Sequence, residues 1–202
     1  MTMKDGFFSD SLRDAVRLVA ILNLAYFAVE FAVAYTIGSV SLFADSLSFL
    51  EYAFVNYLIL IGLRRNAHFC ARLGRVLDGI LLVPGLATLW TAGQKLLMPI
   101  PPAPIPLLLA GAGALAVNLS CSILLMRYRK HPGSRAKAVF LPIRKDVLAK
   151  LAIVGAGLLT VYNTQFAWPD LFVGGGIALM NARAIKKVFE KAQDEQSQHS
   201  SF

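Results

Sequence analysis

Apolar stretches as long as a membrane span, divided by short breaks, run through this sequence and decide its class. They cover Leu12 to Ile37, Val40 to Leu63, Val76 to Met98, Ile105 to Met126, Val139 to Tyr162, and Trp168 to about Ala184. Roughly 20 apolar residues cross the hydrocarbon core of a bilayer. Backbone groups there find no water, so each stretch must satisfy its own hydrogen bonds as a helix. The reading is an all-α polytopic membrane protein of six transmembrane helices. Residues 1–11 form a short N-terminal segment, 12–185 the transmembrane domain and 186–202 a polar tail. In 202 residues that leaves no room for a sizeable soluble domain. Charged residues make up 16% of the chain, against roughly 25% in soluble proteins.

The basic residues set an expected orientation. Of the 20 Lys and Arg, all but Lys95 fall on one side: at the N-terminus and the start of the first span, in the loop after the second span, in the loop after the fourth span and the entry of the fifth, or at the end of the sixth span and in the tail. Basic residues concentrate in cytoplasmic loops, so both termini are expected in the cytoplasm. The net charge of +8 belongs to that distribution and not to nucleic-acid binding. The first dozen residues carry acids and no small-residue cleavage site, so no cleavable leader is expected. Cys70 and Cys121 read as membrane thiols without a disulfide framework. His68, His131 and His199 fall in loops or the tail, with no nucleophile and base at catalytic spacing, so the chain does not read as an enzyme.

Ionisable residues within spans are costly and are functional candidates by default. Here they are Glu30, Asp45, Glu51, Asp78, Asp146 and Lys150. At 100° per residue Asn23 and Glu30 fall within about 20° of each other on the first helix. Asp45, Ser48, Tyr52 and Asn56 form one stripe of the second helix, and Glu51 points away from it. Asp146 and Lys150 share a face of the fifth helix, Asp170 and Asn181 a face of the sixth, and Asn118 adds a polar group to the fourth. Two readings stand for these groups: a hydrated site between helices, or interhelical hydrogen bonds. Glu51 and Lys150, at similar depth, read as a structural ion pair. Asp78 and Arg144 fall near the cytoplasmic face. Gly174, Gly175 and Gly176 read as a place where helices approach closely.

The ordered set of motifs resembles the cation diffusion facilitator family of divalent-metal exporters over roughly residues 15–190. It comprises LNLAYFAVEF with Asn23 and Glu30, SVSLFADSLSFLEY in the second span, GRVLDGILLVPGLATLW in the third, the stretch from Asn118 through PIRKDVLAKLAIV, and WPDLFVGGGIALMNA in the sixth. The resemblance implies six transmembrane helices, usually a homodimer, and export of a divalent cation from the cytoplasm in exchange for protons. Only a short polar tail follows the sixth span, so no counterpart of the family's cytoplasmic metal-binding domain is expected. The family's four transport ligands fall on Ser48, Tyr52, Pro142 and Asp146. Only Asp146 is a strong ligand, so a tetrahedral zinc site of the usual kind is not expected.

Asp45, one turn from Ser48, could join Asp146 in an oxygen-rich site that suits harder ions. The expected metal-site residues are therefore Asp146, Asp45, Ser48 and Tyr52. Asn23, Glu30, Glu51, Asn118, Lys150 and Asp170 are supporting groups. The cation, zinc-like or harder, is cargo and not a resident cofactor. The expected partners are the lipid bilayer, the cation, protons and a second copy of the chain, with no nucleic acid. A bacterial inner membrane is the expected location. The alternative is a degenerate, non-transporting family member that serves as a membrane partner of another protein.

Overall fold

The computed structural model describes residues 3–62, 67–126, 143–162 and 167–181. Every element there is helical: α1 (Met3–Ile37), α2 (Val40–Gly62), α3 (Ala67–Leu97), α4 (Pro104–Met126), α5 (Ile143–Tyr162) and α6, described over 168–181. Pro142 and the side chains of Cys70, Asp78 and Arg144 lie outside the described residues.

Local chemistry sets the breaks. Gly38 takes a φ of 63°, the left-handed conformation that glycine adopts just past a helix end. The Ser39 amide then bonds back to the Ala34 carbonyl at 3.0 Å. α3 accommodates Pro84 in its interior, and the Thr88 hydroxyl donates to the Pro84 carbonyl at 2.8 Å. The run of prolines from Pro99 to Pro106 ends α3 and starts α4, whose first residue, Pro104, needs no amide partner.

α1 packs along α2 and α4, α3 against α2, and α5 against α4. Two apolar clusters hold the bundle. The first joins Ala34 of α1, Leu42 and Phe43 of α2, Leu107 and Ala110 of α4, Ile153 of α5 and Ile177 of α6. The second joins Val16 and Val19, near the middle of α1, to Cys121 and Leu125 toward the end of α4, with Ile59 and Leu60 of α2 packed on it. α4 and α5 come close at Gly111, where an added Cβ would stand 2.9 Å from Ile153, and at Gly157, where it would stand 2.9 Å from Leu108. Small residues at such crossings replace the hydrophobic drive that lipid removes.

The expectation of six membrane-spanning helices is corrected. Among the described residues four helices are long and apolar enough to cross a membrane: Leu12–Ile37, Val40–Ile61, Arg72–Leu97 and Pro104–Met126. α5 is helical, but every 18-residue stretch of it contains Lys145, Asp146 and Lys150. The described part of α6 is 14 residues, 168–181, short of the roughly 20 that a span needs. The expectation that both termini are cytoplasmic rests on the distribution of basic residues, and residues 1–2 and 182–202 lie outside the described residues. The all-α class stands, with no strand among the described residues.

Candidate functional site

The buried polar residues gather in two places. The first lies between the two apolar clusters. Along α4, Asn118 falls between Ala110 and Cys121, and along α2, Asp45 follows Ala44. The Lys150 ammonium of α5 donates to Asp45 Oδ1 of α2 at 3.0 Å and to Asp146 Oδ2, one turn back on its own helix, at 3.2 Å. It also stands 4.5 Å from the centroid of the Phe49 ring, where the negative π face favours a cation. The Asn118 side-chain amide donates to Asp146 Oδ2. Glu30 of α1 adds a third acid whose electrostatic neighbours are Asp45, Lys150 and Asp146. Glu30, Asp45 and Lys150 are each 0% exposed.

The sequence stripes thus converge, but around a lysine. Lys150 pairs with Asp45 and Asp146 and not with Glu51 as its depth suggested. Glu51 is half-buried and makes interactions of its own. Tyr52 faces Asp146. Ser48 accepts a long hydrogen bond from Asn181 of α6 at 3.4 Å, while the same amide donates to the Ala44 carbonyl at 3.1 Å. Asn23 turns from Glu30 to the Val19 carbonyl at 2.7 Å and to Cys121 Sγ at 3.7 Å. Asn56 bonds back to the Tyr52 carbonyl at 2.7 Å. These two asparagines behave as interhelical or intrahelical bonds, the plainer of the two readings.

No three of His, Cys, Asp and Glu are gathered as a metal ion needs among the described residues. The geometry gives a reason: between Asp45 and Asp146 stands an ammonium. Several oxygens beside it nevertheless lack any donor. Both Glu30 oxygens, Asp45 Oδ2 and Asn118 Oδ1 are buried without a hydrogen-bond partner. All are acceptors, and such groups are costly in an apolar interior unless a donor or cation meets them.

The second polar place is a latch around Asp170 of α6. Its carboxylate accepts from the Ser39 hydroxyl at 2.7 Å, the Val40 amide at 2.9 Å, the Ser41 amide at 3.1 Å and the Ser41 hydroxyl at 2.6 Å. It also pairs with Lys95, near the end of α3, at 2.7 Å. The first amides of a helix have no partner within it, and an acid there is favoured by the helix dipole. Asp170 therefore caps α2 from another helix. The sequence offered Asp170 only as a supporting group and Lys95 only as the odd base out.

The family model described as the cation efflux transmembrane domain matches residues 16–192, which include both polar clusters and all the ion pairs above. A comparison with curated proteins finds no match. The match and the four membrane-length helices describe an integral, multi-pass membrane protein with a transport function and not an enzyme. The chain belongs to the cation efflux (cation diffusion facilitator) family.

Proposed function

We propose that the protein moves a divalent metal cation out of the cytoplasm, with protons moving the other way. Asp146 is the main ligand, Asp45 the second, and Ser48 and Tyr52 are neutral donors. The observation that carries this reading is the meeting of two buried carboxylates from α2 and α5 around one positive charge. Ions are held inside a bilayer only where such charges are paired, and an exchangeable cation can take the place of the charge already there. Cation and proton compete for the same oxygens because ligands must be deprotonated to bind metal. By alternating access the site would open to each side in turn. A homodimer in a bacterial inner membrane is the assembly that goes with this reading, with residues 12–185 as its transport domain.

The test is flux in proteoliposomes with a metal-sensitive dye inside and a panel of zinc, manganese, cobalt, iron(II) and cadmium. Wild type should carry at least one of them, faster with an opposing proton gradient. Asp146→Asn and Asp45→Asn should reconstitute but carry none. A second reading has its own observation in favour: the carboxylates are already occupied by Lys150, and among the described residues no three of His, Cys, Asp and Glu are gathered as a metal ion needs. On that reading the chain is a non-transporting membrane partner, and wild type is silent across the whole panel.

A further inference from the structure

We propose that the Lys150 ammonium is a tethered occupant of the cargo position, which a hard divalent cation must displace to bind. This rests on the transport reading above and names the kind of cation and the group that competes with it.

Three observations converge. Lys150 is fully buried, yet its ammonium donates to carboxylates on two different helices, Asp45 at 3.0 Å and Asp146 at 3.2 Å. An ordinary i,i+4 pair would need only Asp146. By reaching α2 as well, Lys150 occupies the point where charges from both helices meet. Next, four oxygens beside this point take no hydrogen bond from a nitrogen or a hydroxyl: Glu30 Oε1 and Oε2, Asp45 Oδ2 and Asn118 Oδ1, with the Glu30 and Asp45 carboxyl groups facing each other. They come from α1, α2 and α4. An ammonium has three protons to donate, and the two carboxylates already engage it. A divalent ion can take six or more oxygens at once. The unmet oxygens are what an ammonium leaves over and a larger coordination shell would use.

Third, the Phe49 ring, fully buried, already meets Nζ at 4.5 Å, so an ammonium that gave up the two carboxylates would keep a cation–π contact while its flexible stem swings the head aside. Among the described residues the ligand atoms around the point are oxygens, with no thiolate or imidazole. Carboxylate and carbonyl oxygens suit magnesium, calcium and manganese more than zinc. Manganese is therefore the probe of choice.

The experiment measures Mn²⁺ binding by electron paramagnetic resonance, on protein in lipid nanodiscs, for wild type, Lys150→Gln, Lys150→Arg and the double variant Glu30→Gln/Lys150→Gln. The double variant removes one acid with the one base. Its formal net charge is that of wild type, which keeps the test open if Lys150→Gln alone does not fold. Removing a unit charge from the centre should tighten Mn²⁺ binding about tenfold or more in Lys150→Gln, and in the double variant to a lesser degree. Lys150→Arg, whose larger head keeps its charge, should bind no tighter than wild type. Folded Lys150→Gln or double variant with affinity equal to or below wild type overturns the proposal. Flux separates the two readings. Wild-type transport with unchanged variant affinity removes the tethered occupant alone. Tightened binding without any wild-type flux keeps the occupant and removes transport.

Discussion

At the scale of single residues, Asp170 has the larger structural role and Lys150 the larger chemical one. Asp170 accepts five hydrogen bonds, from Ser39, Val40, Ser41 twice and Lys95. Asp170→Ala leaves Lys95 buried and unpaired and uncaps α2. The expected loss is about 3–5 kcal/mol, the usual cost of breaking one side of a buried ion pair. Lys95→Met removes the ammonium but leaves the carboxylate four donors, so its cost should be about 1.5–3 kcal/mol, that of one charged hydrogen bond. Unfolding by denaturant in mixed micelles ranks the two, and equal losses would contradict the capping role. The sequence marked Lys150 as a charge out of place, because a charge within an apolar run is visible without any partner, and gave Asp170 only as a supporting group on the face of Asn181. It could not give their partners. Lys95 and Asp170 lie 75 positions apart, Asp45 and Lys150 lie 105 apart, and nothing local announces which buried acid meets which base.

Among the helices, the triple glycine of α6 divides sharply. A Cβ on Gly174 would stand 2.6 Å from Val40 Cγ1 and 2.7 Å from the Ser41 amide nitrogen, whereas Gly175 and Gly176 meet nothing within 4 Å. The Ser41 amide is one of Asp170's donors, so this backbone cannot shift without disturbing the cap. Gly174→Ala should therefore destabilise by about 1–3 kcal/mol, the cost of overpacking. Gly175→Ala should be neutral or stabilise by up to about 1 kcal/mol through helix propensity. Thermal melts of the two variants in one detergent compare them directly. The sequence read all three glycines as one close approach, because composition carries no azimuth without the neighbour. Spans were more legible. The first four are set by long apolar runs between glycine, arginine and proline breaks, and the structure returns them within a few residues. The fifth failed as a membrane-length apolar span because the charges that make α5 interesting are those that lower its apolar character.

The whole molecule has one pinned end and one plain end. At the first, Asp170 ties the α1–α2 turn, the start of α2, the end of α3 and the start of α6 together through charged and hydrogen-bonded contacts. At the other, Val16, Val19, Cys121 and Leu125 meet through apolar contacts with Ile59 and Leu60 of α2 packed beside them. Packing held mainly by apolar contacts, with one long Asn23–Cys121 hydrogen bond at 3.7 Å, can slide more easily than a fully satisfied buried ionic knot. The knot is then a pivot and the helices are levers, with the widest swing farthest from Asp170. Spin labels at the exposed positions Leu18 and Met126 should report a larger change in separation on adding Mn²⁺ than labels at Tyr35 and Leu97, which lie near the knot. A reversed ranking would put the pivot elsewhere. The Lys150 cluster sits partway along these arms, so a cation entering from the plain end would be met by parts that move, and one leaving by the pinned end would have to loosen the pivot itself.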